Sequence, residues 1–309
     1  MKSSFVTAES VRFSYASTLA LDGVSFEVGQ GEFFSLVGPN GGGKSTLFKI
    51  FATLLQPDTG SVTFDGKCIV REAHAIRKEI GVTFQHPSLD LKLTVHENLK
   101  HHGHFYGLKG AVLADRIDSL LSILGLISRS NERCESLSGG LKRRVEVAKS
   151  LIHQPKILLL DEPTTGLDPV ARKNLWEYVR LLQKEQGLTV LCTTHLMEEA
   201  EASDRMALIH KGKLIAKGTP SALRSEIGSQ VVSIKTQSPL EMERHLQETL
   251  NLSGGRLVDN EIRFEGSMTE NELLKLFSVA GEKADSVTVG RPTLEDFFVA
   301  RTGLAWEGA

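Results

Sequence analysis

Three cysteines in 309 residues, Cys68, Cys134 and Cys192, are too few and too far apart for a disulfide framework. Their odd number favours a reducing compartment. No C-x-x-C pair exists, so a zinc site of that kind has no basis. Long apolar runs are also missing. The longest hold a few residues, such as Ile157 to Leu160, where a membrane span needs about 18 or more. No transmembrane helix is expected. Residues 1–10 carry one lysine and no apolar stretch, which argues against a cleaved export signal. Neither sign of charge is in excess: 36 Lys and Arg face 38 Asp and Glu, a net charge of −2. That excludes a globally basic nucleic-acid binder and an acidic solvating tail. With 40% apolar and 24% charged residues, the proportions are globular, not those of a disordered chain. The length suits one large domain plus one small.

Up to about residue 220, strand signals alternate with helical ones, which predicts a mainly parallel, covered sheet. Val24, Phe26 and Val28 alternate with polar positions, and Phe33 to Val37 reads as a buried strand. A glycine-rich stretch, 38–43, then opens a helix to about Leu54. Ser61 to Phe64 and Ile80 to Phe84 read as strands. From Thr94 to about Leu126 the pattern is helical, with Gly103, Gly107, Gly110 and Gly125 as breaks. A further helix is expected from about Ser138 to His153. Ile157 to Leu160 is too short for a helix and fits a central strand. Pro169 to Gln186 is helical, Leu188 to Thr193 strand, Leu196 to Ser203 helix and Met206 to Ile209 strand.

Near residue 220 the pattern changes, and the boundary is set between 1–221 and 222–309. The second segment reads β-α-β-β-α-β with one added helix, a small ferredoxin-like α+β domain. Ser238-Pro239-Leu240-Glu241 and Thr269 with Glu272 are capping boxes. Met242, Leu246 and Leu250 form one stripe, while Leu273, Leu274 and Phe277 are expected inward on the next helix. Asp259-Asn260 is a plausible hairpin turn, and Thr293 to Thr302 is the added helix.

Chemistry concentrates in the first segment. Gly38-Pro39-Asn40-Gly41-Gly42-Gly43-Lys44-Ser45-Thr46 fits G-x-x-x-x-G-K-[ST] and sits between a buried strand and a helix. Glycines let backbone N–H groups curl around phosphate oxygens, and the helix N-terminus adds positive dipole. Lys44 adds a point charge for the β- and γ-phosphates, and the Ser45 hydroxyl suits Mg²⁺. Asp161 and Glu162 follow the apolar strand, where a parallel sheet presents ligands. Asp161 suits Mg²⁺, directly or through water, and Glu162 an attacking water. Without the phosphate loop the pair would read as a solvated loop.

Between these lies Leu137-Ser138-Gly139-Gly140-Leu141-Lys142-Arg143-Arg144. Alone, Ser-Gly-Gly before a helix is a mere cap. Beside the phosphate loop and Asp161-Glu162, the chain resembles the nucleotide-binding subunit of ATP-binding cassette transporters over about residues 5–220. The family signature is L-S-G-G-Q; Leu141 replaces its glutamine and removes one amide, while Ser138, Gly139 and Gly140, which would face the nucleotide, are kept. The resemblance implies a P-loop NTPase cassette with a RecA-like parallel core, an antiparallel β subdomain and a helical subdomain at about 94–153. It also implies roles by position. Tyr15, 29 residues before Lys44, would stack under adenine, although alone it reads as an edge-strand tyrosine. Gln85 would sense Mg²⁺ and water. Thr165-Gly166-Leu167-Asp168 would cross a dimer interface through Asp168, and His195 would contact the γ-phosphate.

The implied assembly is an ATP-sandwich homodimer, packed head to tail, bound to a separate integral membrane permease on the cytoplasmic face of the cell membrane. ATP and Mg²⁺ are the expected cofactors, and no nucleic acid is expected. Leu141 and the tail Pro292-Thr293-Leu294-Glu295-Asp296-Phe297-Phe298 resemble the drug-resistance and lipid-exporter branch. The alternatives are a soluble cassette ATPase on ribosomes or DNA, which usually carries two cassettes or a coiled-coil insertion, and an importer subunit. A non-hydrolysing module is disfavoured by Lys44, Asp161, Glu162 and His195. His101, His102 and His104 lack a ligand partner at helical spacing and read as a solvated or interface face. Lys142, Arg143 and Arg144 read as a helix face at the dimer or permease interface.

Overall fold

A computed structural model describes residues 4–250, 255–258 and 260–306. Asp259 of the expected hairpin turn and residues 1–3 lie outside them. In chain order the elements are β1 (Ser4–Tyr15), β2 (Thr18–Gly29), β3 (Phe33–Val37), α1 (Lys44–Phe51), β4 (Thr59–Phe64), β5 (Lys67–Cys68), α2 (Ala73–Arg77), β6 (Ile80–Thr83), α3 (Val95–Phe105), α4 (Gly110–Ile123), α5 (Gly139–Leu151), β7 (Ile157–Asp161), α6 (Pro169–Gln186), β8 (Thr189–Thr194), α7 (Met197–Glu201), β9 (Arg205–His210), β10 (Lys213–Gly218), α8 (Pro220–Ser225), β11 (Gln230–Lys235), α9 (Pro239–Leu250), β12 (Arg256–Val258), β13 (Glu261–Gly266), α10 (Glu270–Ala280), β14 (Ser286–Gly290) and α11 (Leu294–Thr302). They form two compact units, Met1–Lys217 and Gly218–Ala309.

In the first unit, β10-β9-β3-β8-β7-β6 make a six-stranded sheet. Neighbours from β9 to β6 pair parallel. Every residue of β3, β7 and β8 is buried. A strand covered on both faces is mostly apolar on both, which is why Ile157–Leu160 shows no alternation. A second sheet, β2-β1-β4-β5, is antiparallel. Phe26 stacks on Phe34 at 5.1 Å and meets Phe51 edge-on, which joins this sheet to β3 and α1. Between β6 and β7 lie α3, α4 and α5, whose apolar faces (Leu99, Ile117, Leu121, Val145 and Ala148) share one cluster.

Several local expectations differ. Gly103 does not break a helix; it is buried inside α3. A Cβ there would stand 2.3 Å from Leu113 Cδ1, so the glycine admits α4. Strands β5 and β10 and helix α2 are short and carry no clear periodic signal in the sequence.

The second unit has the strand order β12-β13-β11-β14, all antiparallel, a ferredoxin-like sheet. Its core joins Val232, Ile234, Met242, Leu246, Ile262, Phe264, Leu276 and Ala280. On α10 the inward face is Leu276 and Ala280, with Leu273 beside them, while Leu274 is 61% and Phe277 45% exposed. The inward set follows i, i+3, i+7, and 274 lies one residue's rotation away from it. Thr269 with Glu272 and Thr293 with Asp296 form complete capping boxes. Phe297 and Phe298 are fully buried, and Phe298 packs edge-on against Trp306 at 4.7 Å.

Replacing Phe297 by Ala should cost this unit about 3–5 kcal/mol, the range for a buried ring lost to a cavity. Urea unfolding followed by Trp306 fluorescence, in a Trp176→Phe background, reads that cost; a change under about 1 kcal/mol would contradict the packing.

Candidate active site

The parallel register sets the site. Val37 pairs with Thr194, Asp161 with Thr193, and Thr83 with Leu160. Four strands therefore end at one level, and the loops after β3, β6, β7 and β8 emerge together. The carboxyl edge of a parallel sheet is where such folds present ligands.

After β3 the chain turns through Gly38–Gly43 into α1. Gly43 has φ 105, and a Cβ on it would lie 2.8 Å from the Ala20 carbonyl of β2. Gly212 fixes the loop from the other side, donating to Gly42 O at 2.9 Å and accepting from Asp22 N at 2.8 Å. Lys44 is buried, and its Nζ donates to Gly38 O at 2.7 Å and Pro39 O at 3.0 Å. It also lies 3.6 Å from Glu162 Oε1. Burial pulls the Lys44 ammonium below its usual range, against the attraction of Glu162 and Asp161. Ser45 is exposed at the start of α1, and Thr46 is buried.

After β7, Asp161 Oδ1 accepts from Thr193 Oγ1 at 2.6 Å. Burial pushes its carboxyl above the usual range, and neighbouring Glu162 adds to that. Glu162 has φ 42. A left-handed non-glycine residue costs roughly 1–2 kcal/mol. Thr193 holds it there, since Glu162 N donates to Thr193 O at 3.1 Å and Oγ1 at 3.0 Å. Its Oε2 lies 3.1 Å from His195 Nδ1, accepts from Gln85 Nε2 at 3.3 Å and accepts from Thr165 Oγ1 at 3.3 Å. Five residues singled out from the sequence, Lys44, Gln85, Asp161, Glu162 and His195, thus come together.

Others do not join that cluster. The Ser138 hydroxyl caps α5, accepting from Leu141 N at 3.4 Å. A Cβ on Gly140 would stand 2.8 Å from Ala171 Cβ, and one on Gly139 3.7 Å from Leu167 Cδ2, so the signature turn packs on the loop and helix after β7. Asp168 is exposed and caps α6, accepting from Ala171 N at 2.9 Å. Tyr15 is 45% exposed at the end of β1, its ring edge-on to Phe13.

Arg143 is a correction. It is no surface charge: it is buried, and its guanidinium bonds backbone carbonyls of the site loops. Arg144 is half-buried, reaching Leu124 O and Tyr178. The sequence signal for Arg143 is Glu146 one turn on, a paired charge on the inner face of α5. Glu199, four residues after His195, supports the same loops. It is buried, accepting from Thr164 and, at 2.6 Å, Thr194.

The three histidines diverge. His101 and His104 are exposed, while His102 is half-buried against Tyr106, and burial lowers its pKa to about 4. Tyr106 stacks on His153 at 3.8 Å. These rings, with Phe84 and Leu54, line a groove of about 410 Å³. Among the described residues, no group of three or more His, Cys, Asp or Glu is arranged to hold a metal.

The family model described as ABC transporter matches residues 21–165. A Nod factor export ATP-binding protein I from Paraburkholderia xenovorans is 38% identical over 309 residues, 98% of each chain. The daunorubicin resistance ATP-binding protein DrrA3 of Streptomyces coeruleorubidus is 36% identical, over 98% of this chain and 97% of its own. Among solved structures, cbiO1 of a Clostridium perfringens ABC transporter complex aligns with TM-score 0.69 and 29% identity, over 81% of this chain and 97% of that one. A dimeric post-hydrolysis cassette bound to ADP and phosphate aligns with TM-score 0.62 and 29% identity, over 69% and 98%.

Asp161→Asn should stabilise the first unit by on the order of 1 kcal/mol, because it removes a buried, poorly compensated charge. The raised carboxyl gives the sign. Both states are protonated below the ordinary Asp range near 3.8, so the gain vanishes there, and it is complete once pH exceeds the raised value. Denaturation at a series of pH values tests this; a gain that grows toward low pH would contradict it.

Proposed function

The chain belongs to the ABC transporter family as an ATP-hydrolysing subunit, and we propose that it drives an exporter by closing head to tail on a second copy of itself. The observation that carries this reading is the convergence of Lys44, Gln85 and His195 on the Glu162 carboxylate. Relatives of full length named for Nod factor export and daunorubicin resistance support export. So do Leu141 and the Pro292–Phe298 tail.

In this reading the loop amides of Gly41–Lys44 and the Lys44 ammonium hold the β- and γ-phosphates. The oxygen donors Ser45, Asp161 and Gln85 suit Mg²⁺, a hard cation, and Asp161 lies buried with one hydroxyl partner. Bound there, Mg²⁺ would neutralise phosphate charge. Glu162 accepts a proton from water as the water oxygen bonds to the γ-phosphorus, and the bond from that phosphorus to the oxygen bridging to the β-phosphate breaks, leaving ADP. Gln85 and His195 hold that water and the γ-phosphate in line. Tyr15 stacks on adenine.

Ser138, Gly139 and Gly140 belong to the opposite nucleotide, with Asp168 at the seam. The dimeric neighbour supports this. The permease would dock in the groove beside Phe84, next to Gln85. No helix among the described residues is long and apolar enough to cross a membrane, so attachment at the cytoplasmic face would run through that partner. We assign residues 222–309, which hold two capping boxes and an apolar core, to dimer stability or control of turnover.

Glu162→Gln should keep ATP affinity and lower hydrolysis by about 10²–10⁴-fold, the usual weight of a general base. A dimer should then persist with ATP on size-exclusion chromatography. Near-normal hydrolysis would remove Glu162 from its role. Wild-type activity per chain should rise with protein concentration; strict linearity down to dilute protein, with no dimer detected, would contradict a shared site.

A further inference from the structure

Arg143 has a connection that none of the roles above explains. It lies five positions after the Ser138 cap, so a rigid helical turn and a half separates it from the signature turn. Its side chain is 7% exposed. Nε donates to Pro163 O at 2.7 Å, Nη1 to Phe84 O at 2.6 Å and Glu146 Oε2 at 2.8 Å, and Nη2 to Asp161 O at 3.1 Å. Asp161 and Pro163 flank Glu162, and Phe84 precedes Gln85. The other Glu146 oxygen accepts from Ser88 N at 2.6 Å, further along the same loop.

The peptide of Glu162 is thus clamped from two sides. Thr193 holds its N–H, and Arg143 holds the carbonyls before and after it. A left-handed residue stays in place only where its surroundings over-determine it. A planar guanidinium suits this task because its five donors point in fixed directions. The bonds are charge-assisted and dry, so each is stronger than a neutral one in water.

We infer that Arg143 is a positioning residue that couples the two nucleotide sites of the dimer. This rests on the head-to-tail reading above. In that reading Ser138–Gly140 of one chain touch the partner's nucleotide, while Gln85, Asp161 and Glu162 serve the chain's own. Arg143 joins the helix of the first set to the backbone of the second. A shift of the signature turn at one site moves the guanidinium, and with it the carbonyls that set Glu162 and Gln85 at the other. Glu146 fixes the guanidinium's orientation and extends the link to Ser88.

Mixed dimers of differently tagged full-length chains, with Glu162→Gln in one chain, test this because a single site then turns over. Arg143→Lys keeps charge but loses the fork. Placed in the chain with intact Glu162, it should lower kcat by about tenfold to a hundredfold, as for other residues that orient a ligand shell. Placed in the Glu162→Gln chain, it should also lower kcat, at unchanged ATP affinity and unchanged dimer yield. In homodimers it should bring the Hill coefficient for ATP from above one toward one. A loss confined to the first placement makes Arg143 a local brace and overturns the coupling, as does no loss in either. If Arg143→Lys does not fold, Glu146→Gln takes its place, with the same two-placement pattern expected. Failure of wild-type chains to form any dimer with ATP would instead defeat the head-to-tail reading itself.

Discussion

Parallel pairing in register is the constraint on which the first unit depends. In β3, β8, β7 and β6, residues at one level lead to loops at one edge. Lys44, Gln85, Asp161, Glu162 and His195 span over a hundred positions of sequence, yet gather because four strands end together. The same pairing makes those strands apolar on both faces. The carboxylate they carry, Asp161, sits at the carboxyl end, whereas the buried hydroxyls of Ser35 and Thr189 are satisfied locally by Cys192 and by the Gly31 amide. Burial of the strand interiors and presentation of the site are one consequence of one geometry.

That arrangement leaves the site electrostatically unfinished. Burial lowers the Lys44 ammonium and raises the Asp161 carboxyl, although each lies near the other's charge. Loop carbonyls and Thr193 satisfy part of their hydrogen-bonding capacity. Glu162 adds backbone strain, held by Thr193 on one side and Arg143 on the other. A polyphosphate with a divalent cation would supply what both buried groups lack, which is why the charge pattern and the ATP-hydrolysing role agree. The second unit follows another logic. Its sheet and two helices bury short apolar stripes, and its capping boxes satisfy helix N-termini locally.

Helix α5 shows how one element carries two duties. Its first turn needs Ser138 as a cap and Gly140 for the close approach of Ala171. Its inner face, one and a half turns on, buries Arg143 with Glu146. Gly140 of the signature is therefore required by packing within the chain, before any partner is considered, whereas a Cβ on Gly139 would make only an ordinary contact.

Where function was legible in the sequence, the cause was local. A glycine-rich turn between strand and helix needs its residues in consecutive order, so Gly38–Thr46 could be read directly. So could Asp161-Glu162 after an apolar strand and the Thr269 capping box, since caps are set within a few residues. What tertiary structure alone decided involves distant partners. Gly103 resembles a break until Leu113 is seen against it. Leu274 and Phe277 resemble core until packing against β11 and β13 selects Leu276 and Ala280. Arg143 resembles an interface charge until four acceptors from three segments surround it. Composition and spacing report which groups a chain has. Which of them share a space depends on strand order and register, and these arise from contacts between segments whose separation in sequence carries no periodic signal.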